Sequence, residues 1–268
     1  PERDDAPGPD SGPDAGSDIE RDEGADREPQ EEPPPRGPLP PAVGDLYIVL
    51  DDAGYSMRDL EPFLELDIPL TISVLPHLQY SADAARAAVR SGHDVMLHMP
   101  MEARGSGNPG TGAIRVTHGP QEILSRLHGA LDSVPFAVAA NNHMGSAVTE
   151  QLLLMQVIVE GLHERGLFFL DSRTTADTTV AQAGNNVGIQ TVERHVFIDH
   201  DRDVDSMRGA LRAGIERARV EGYAVLIGHV QTPELPELLT WAAREAAEAG
   251  VVFRPISHMG VRYAGLRP

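Results

Sequence analysis

Leu46-Tyr47-Ile48-Val49-Leu50-Asp51-Asp52 is an apolar run that ends on two aspartates, and the arrangement recurs along the chain. Asp94-Val95-Met96-Leu97 runs into His98, and Phe136-Ala137-Val138-Ala139-Ala140 reaches His143 through Asn141 and Asn142. Leu167-Phe168-Phe169-Leu170 ends on Asp171, His195-Val196-Phe197-Ile198 on Asp199, and the run from Tyr223 to Gly228 on His229. Short apolar runs bounded by turn residues read as buried parallel strands. In a parallel sheet or barrel the C-terminal strand ends share one face, so these carboxylates and imidazoles collect on one rim. Such a set on one rim suits a metal-hydrolytic site, which points to an enzyme.

Between the runs lie helical segments near 56–66, 80–91, 120–133, 149–165, 203–221 and 233–249. Ile123, Leu127 and Leu131 repeat at four, and Val204, Met207, Leu211 and Ile215 step by three and four, each series laying one apolar stripe on the sheet. Gly92, Gly166, Gly222 and Gly250 follow the last helical residues as stop signals. Thr232-Pro233-Glu234 reads as a helix start with a capping hydroxyl, and Thr149 as the cap of the segment it opens. Two further strands are expected at 69–75 and 251–255. The fold class is therefore α/β, and seven or eight strands each followed by a helix favour a parallel (β/α) barrel over an open sheet. The glycine-rich stretch 105–119 is a long loop that either covers the rim or is simply mobile.

The chain has 268 residues and no cysteine, which excludes disulfides and thiolate chemistry. All 22 basic residues are arginine, and the formal net charge is −19. A balance that acidic argues against nucleic acid or an anionic membrane surface as partner, because both require a basic footprint. Residues 1–36 hold 13 of the acids and 4 of the arginines, about half of the net charge. Residues 1–43 are an acidic, Pro-rich stretch with too little apolar surface to offset chain entropy, and they read as a disordered tail or linker. The roles open to it are a spacer behind an upstream anchor and a purely solubilising tail. Residues 44–268 are of normal size for one α/β barrel domain.

Paired carboxylates at a strand end can divide their roles, one binding a cation and the other accepting a proton from water. The bland alternative is that Asp51 or Asp52 caps the next helix, work that Ser56 can do. His98 shares the rim with them, and Glu102 follows four residues on. His143 sits in the polar stretch Asn141 to Ser146, whose amides can offer donors to a ligand, as can the backbone near Tyr55. Glu102 is a second possible ligand after His98. Arg173 is placed to hold Asp51 or Asp171 by a bidentate pair. Asp199, His200 and Asp201 are rich in ligand atoms, but Asp203 is placed to cap the following helix. His229 is the natural general acid, since an imidazole titrates near ~6.5. His77 is a weaker rim candidate, and His93, His118, His128, His163 and His195 are read as structural or exposed.

The ordered series Ile-Val-Leu-Asp-Asp-Ala-Gly-Tyr (48–55), Leu-Pro-His (75–77), Val-Met-Leu-His-Met-Pro-Met-Glu (95–102), Asn-Asn-His-Met-Gly-Ser (141–146), Phe-Leu-Asp-Ser-Arg-Thr-Thr (169–175) and Ile-Gly-His (227–229) resembles the divergent polysaccharide deacetylase family. That family is a remote relative of carbohydrate esterase family 4. The resemblance implies an irregular (β/α) barrel, a divalent metal, usually zinc, and deacetylation of N-acetylated carbohydrate. It implies Asp51 as base, Asp52 as metal ligand, His98 as the first histidine of a metal motif and His229 as general acid. Asn142, Asp171 and Arg173 would support them. Glu102 stands where that superfamily has a second metal-binding histidine, so the third metal ligand is Glu102 or His143, and its Arg-x-Pro-Tyr motif has no counterpart. Two readings follow: a metal-dependent hydrolase of cell-envelope polysaccharide, in the periplasm or envelope, or a catalytically weak or inactive barrel that binds glycan or a cell-wall protein.

If residues 1–43 play no part in the barrel, a chain that starts at Ala42 keeps the melting temperature of the full chain. A loss of several degrees in calorimetry would show that the tail packs on the domain.

Overall fold

The computed structural model describes residues 42–259, so the acidic tail expected over 1–43 lies almost wholly outside the described residues. Nine strands are described: β1 (Gly44–Ala53), β2 (Thr71–Val74), β3 (Asp94–Met101), β4 (Ala137–Met144), β5 (Phe168–Asp171), β6 (Val192–Glu193), β7 (Val196–Phe197), β8 (Tyr223–His229) and β9 (Val251–Phe253). The helices are α1 (Met57–Leu64), α2 (Ser81–Arg90), α3 (Pro120–Ser133), α4 (Ser146–Thr149), α5 (Leu152–His163), α6 (Val180–Val187), α7 (Val204–Glu221) and α8 (Leu235–Glu248). All strand pairs are parallel, in the order β6-β5-β4-β3-β2-β1-β8-β7, with β9 on the lower part of β1. The sheet curls with its helices outside into the expected (β/α) barrel, left open where β6 and β7 follow one another without pairing. The strand count exceeds the expected seven or eight because β6 has two residues, too few to carry a period. No helix among the described residues is long and apolar enough to cross a membrane.

The strands are apolar throughout because both faces are covered. Leu46, Ile48, Leu50, Leu97, Ala140, Phe169, Ala224 and Leu226 point outward under the helices. Tyr47, Val49, Met96, Ala139, Leu170, Val225 and Ile227 point into the barrel. Each strand thus has an inward and an outward parity, and that parity decides which rim residues face the interior.

The helix ends follow local chemistry. Ser56 Oγ accepts from Asp59 N at 3.3 Å and Asp203 Oδ1 from Ser206 N at 2.9 Å, as their positions predict. Gly166 and Gly222 take φ of +76° and +86°, the left-handed conformation that ends a helix. Two expected caps fail. Thr232 Oγ1 donates to Asp199 Oδ2 at 2.6 Å instead of capping α8, because a buried carboxylate needs the donor more than a helix end open to water. Thr149 ends α4, its hydroxyl bonded to Gly145 O, and α5 starts separately at Leu152. Helix α6 lies in a stretch of small and polar residues that carried no clear periodicity.

β1 enters directly over α7, where an added Cβ on Gly44 would lie 2.0 Å from the Ala218 carbonyl oxygen. Gly44→Ala should force β1 off that helix and cost about 1–3 kcal/mol, the scale of overpacking elsewhere. Chemical denaturation checks it; an unchanged midpoint refutes the close packing.

Candidate metal centre

Five strand ends build the site. Asp51 continues the inward parity of Tyr47 and Val49, so in a regular strand Asp52 would turn outward. It does not, because the register between β1 and β2 breaks between Leu50 and Ala53 and Asp52 adopts φ +65°. A bulge with one left-handed residue cancels the alternation, and aspartate tolerates that conformation better than most residues. Both carboxylates are thereby delivered to the barrel mouth.

His98 keeps the inward parity of Met96, and His143 that of Ala139 on the neighbouring strand β4. Asp52 Oδ1 lies 3.2 Å from His98 Nε2 and 3.0 Å from His143 Nδ1, and those two ring nitrogens are 3.2 Å apart. Among the described residues these three form a group whose ligand atoms all fall within 4.8 Å of one another. Asp52 Oδ1 is buried, yet neither ring is aligned to give it a hydrogen bond. An orphaned buried carboxylate oxygen between two imidazole nitrogens fits a divalent cation, and two histidines plus one carboxylate leave a coordination position open. His98 is almost completely buried, as is Asp51, whose Oδ1 lies 3.6 Å from His98 Nδ1. Beneath both lies Asn141, fully buried and hydrogen-bonded to each.

Charge in this cluster is tightly linked. Burial alone would raise the Asp52 carboxyl, but His143 and His98 outweigh it and hold it well below the usual carboxylate range. Burial opposes charge on His98, yet Asp51 and then Asp52 lift it to about 9. Without metal, His98 is therefore an imidazolium at neutral pH.

On the adjacent strand β8, His229 is the register partner of Asp51 on β1. Its Nδ1 lies 3.0 Å from Asp199 Oδ1, and its backbone N–H donates to Asp199 Oδ2 at 2.9 Å. With Thr232 also donating, every bond that Asp199 makes supports its charged form: burial pushes its carboxyl up, but His229 and Thr232 hold it low. Burial pushes His229 down, but Asp199 first, then Asp51 and Asp52, raise it above its ordinary value. The His229 ring stacks on Phe197 at 5.3 Å, and the Arg194 guanidinium lies 4.6 Å from the centre of that phenyl ring. Arg194 also donates to the Ser172 and Arg173 carbonyls at 2.7 and 3.0 Å.

The other expected site residues lie elsewhere. Glu102 is outside the cluster: four residues along an extended strand span ~13 Å, and its carboxylate accepts from Val116 N at 2.9 Å. Asp171 has the outward parity of Phe169, accepts from Arg173 N and Thr178 Oγ1 at 2.7 Å each, and lines a cleft of about 360 Å³ beside β5 and β6. Burial raises its carboxyl. The Arg173 guanidinium pairs with Glu193 at 2.5 Å, so it holds neither Asp51 nor Asp171 by a side-chain fork. Asn142, on the outward parity, accepts from Ser172 N at 2.9 Å and donates to Met144 O at 2.7 Å, tying β4 to the next loop. His77 is exposed at φ +60°. Asn141 and Arg194 were not singled out from sequence, and Asp199 was weighed there only within a run rich in ligand atoms. Inward parity alone marks Asn141 and Asp199 beside His98 and His229.

Two pH effects follow from His98. In chelated protein its folded value lies above the unfolded ~6.5, so its stabilisation is complete below that pH and is lost as pH rises through about 9. The melting temperature of the metal-free protein should accordingly fall across that window, and less so in His98→Ala. A bound cation must displace that proton, so metal affinity should rise with pH up to about 9 in competition titrations. A pH-independent affinity would remove His98 from the ligand set.

Comparison with known proteins is consistent across most of the chain. Residues 48–259 match the sequence model described as divergent polysaccharide deacetylase. The uncharacterized protein YibQ of Escherichia coli K12 is 33% identical over 190 residues, 71% of this chain and 60% of that protein. An uncharacterized protein of Haemophilus influenzae is 30% identical over 188 residues, 70% of this chain and 67% of that one. The chain thus spans about three fifths of the length of YibQ. Among solved structures, the uncharacterized protein ATU2773 of Agrobacterium tumefaciens C58 superposes with a TM-score of 0.75 at 21% identity, covering 81% of this chain and 89% of that one. BA3943 of Bacillus anthracis, a CE4 family pseudoenzyme, superposes at 0.50 and 14% identity, covering 82% and 66%. These two likenesses concern the fold; the sequence match over the barrel and its rim places this chain in the divergent polysaccharide deacetylase family.

Proposed function

We propose that this protein is a metal-dependent hydrolase that deacetylates N-acetylated polysaccharide of the cell envelope, acting in the periplasm or at the envelope. The observation that carries the reading is the buried Asp52 Oδ1, which lies without a hydrogen bond between the nitrogens of His98 and His143 and is flanked by Asp51 and by the Asp199–His229 pair. Asp52, His98 and His143 would hold the ion, with zinc the cation best matched to two imidazoles and a carboxylate. A divalent ion held there would polarise the acetamide carbonyl and make water more acidic.

The protein's own groups supply the proton transfers. Asp51 is buried beside the ligands and accepts the proton of the attacking water as the new C–O bond forms. Asp199 stabilises the His229 imidazolium and so favours the proton that His229 delivers to the nitrogen as the C–N bond breaks. The amine then leaves neutral, with acetate as the other product. Asp51 and His229 lie side by side on β1 and β8, so acid and base bracket one reacting group.

Acetate release from N-acetylglucosamine oligomers by zinc-loaded protein, abolished by chelator and restored by zinc, is the expected result. A loaded protein that binds these oligomers yet releases no acetate would support the inactive, glycan-binding barrel instead. Asp51→Asn and His229→Ala should each lower turnover by ~10²–10⁴ with metal content retained. In Asp52→Ala and His98→Ala the bound metal itself should fall, as elemental analysis would read; full occupancy in both refutes the ligand assignment. Asp199→Asn removes the charge that raises His229, so the basic limb of the pH–rate profile should move to lower pH.

A further inference from the structure

We propose that Asn141 is a positioning residue that couples the metal ligand His98 to the base Asp51, one buried amide setting the ring tautomer of the first and the orientation of the second. The roles of those two residues rest on the hydrolase reading above. Asn141 is fully buried. Its Nδ2 lies 2.8 Å from Asp51 Oδ1, its Oδ1 lies 2.7 Å from His98 Nδ1, and the Ser73 hydroxyl donates to Oδ1 at 2.7 Å.

The atom assignment is forced. An ionised carboxylate only accepts, so the amide atom facing Asp51 must be the NH₂ group. The atom facing His98 is then the carbonyl oxygen, which also only accepts, so His98 Nδ1 must carry a proton. In the neutral ring this leaves the lone pair on Nε2, the nitrogen that faces Asp52 Oδ1 and His143 Nδ1. A flipped amide would set oxygen against carboxylate and NH₂ against ring N–H, losing both bonds. Ser73, buried on β2, adds a donor that only the observed orientation can use.

The amide also separates two groups that would otherwise pair. His98 Nδ1 is 3.6 Å from Asp51 Oδ1, near enough for the imidazole to turn its N–H onto the base if the nearer acceptor were absent. That turn would occupy the base and swing Nε2 off the ion at once. Aspartate at 141 would keep the acceptor for His98 and Ser73 but set a second buried carboxylate against Asp51, so that the two share a proton and the base is no longer free, and leucine would lose both acceptor and donor.

The test uses the full chain, zinc in competition with a chelator, and steady-state acetate release. Asn141→Leu should weaken zinc binding by ~10–100-fold, the usual cost of removing a partner behind a metal ligand. Asn141→Asp should hold zinc affinity within about threefold, and lose about 10²-fold in kcat with KM unchanged, because only the base is disturbed. In ¹⁵N-labelled zinc-loaded protein, the Nδ1–H resonance of His98 should stay near its wild-type position in Asn141→Asp and shift in Asn141→Leu, where its acceptor changes to Asp51. Wild-type zinc affinity in Asn141→Leu, or parallel loss of zinc affinity and kcat in Asn141→Asp, would overturn the proposal. Where Asn141→Leu does not fold, the split in Asn141→Asp decides alone. Zinc affinity that depends on Asn141 in a protein releasing no acetate would sink the hydrolase reading and leave the positioning of His98 standing.

Discussion

Everything at the barrel mouth depends on a break in the alternation of β1. A regular strand sends consecutive side chains to opposite faces, so Asp51 and Asp52 would be split between the barrel interior and the helical layer. The bulge after Leu50 and the φ of +65° at Asp52 put both at the mouth. Residues held in the left-handed region cost roughly 1–3 kcal/mol unless glycine, and they persist where the surroundings over-determine them. Here the surroundings are paired strands on both sides of β1 and a fully buried core beneath it.

The second constraint is charge. Asp51, Asp52, His98 and His143 converge at a largely buried mouth, and burial opposes charge on Asp52 and His98. Without a cation, the cluster balances itself by protonating His98, whose value rises to about 9. That proton occupies the place a metal would take, so the same carboxylates that stabilise the imidazolium would attract the ion replacing it. The geometry suits exchange of one positive charge for another, not a neutral core.

On the other side the barrel is open between β6 and β7, and side chains close what the backbone leaves unpaired. Arg194 reaches from the two-residue link to the carbonyls of Ser172 and Arg173 and covers Phe197, on which the His229 ring lies. Asp199 then fixes that ring from its edge. The position of His229 thus derives from β8 by parity and from the open seam by stacking and hydrogen bonding.

By itself the sequence determined the parallel barrel, because buried strands with both faces covered must be continuously apolar, and the rim, because turn chemistry begins where they stop. It marked Asp51, Asp52, His98, His143 and His229, all of which the structure brings to the mouth. It could not choose between Glu102 and His143, since that choice depends on distance: Glu102 is near His98 in the chain but ~13 Å along the strand, whereas His143 comes from the adjacent strand. Asp171 looked equivalent to the others as a strand end, but one step of parity turned it outward. Arg173 looked like a clamp on these acids, but Glu193, brought in by the unanticipated β6, took its charge. Asn141 and Asp199 were visible as polar residues at strand ends, while their partners lie 43 and 30 residues away in the chain. Only tertiary structure decides such pairings, because strand register, not sequence distance, sets which polar groups must satisfy one another once water is gone.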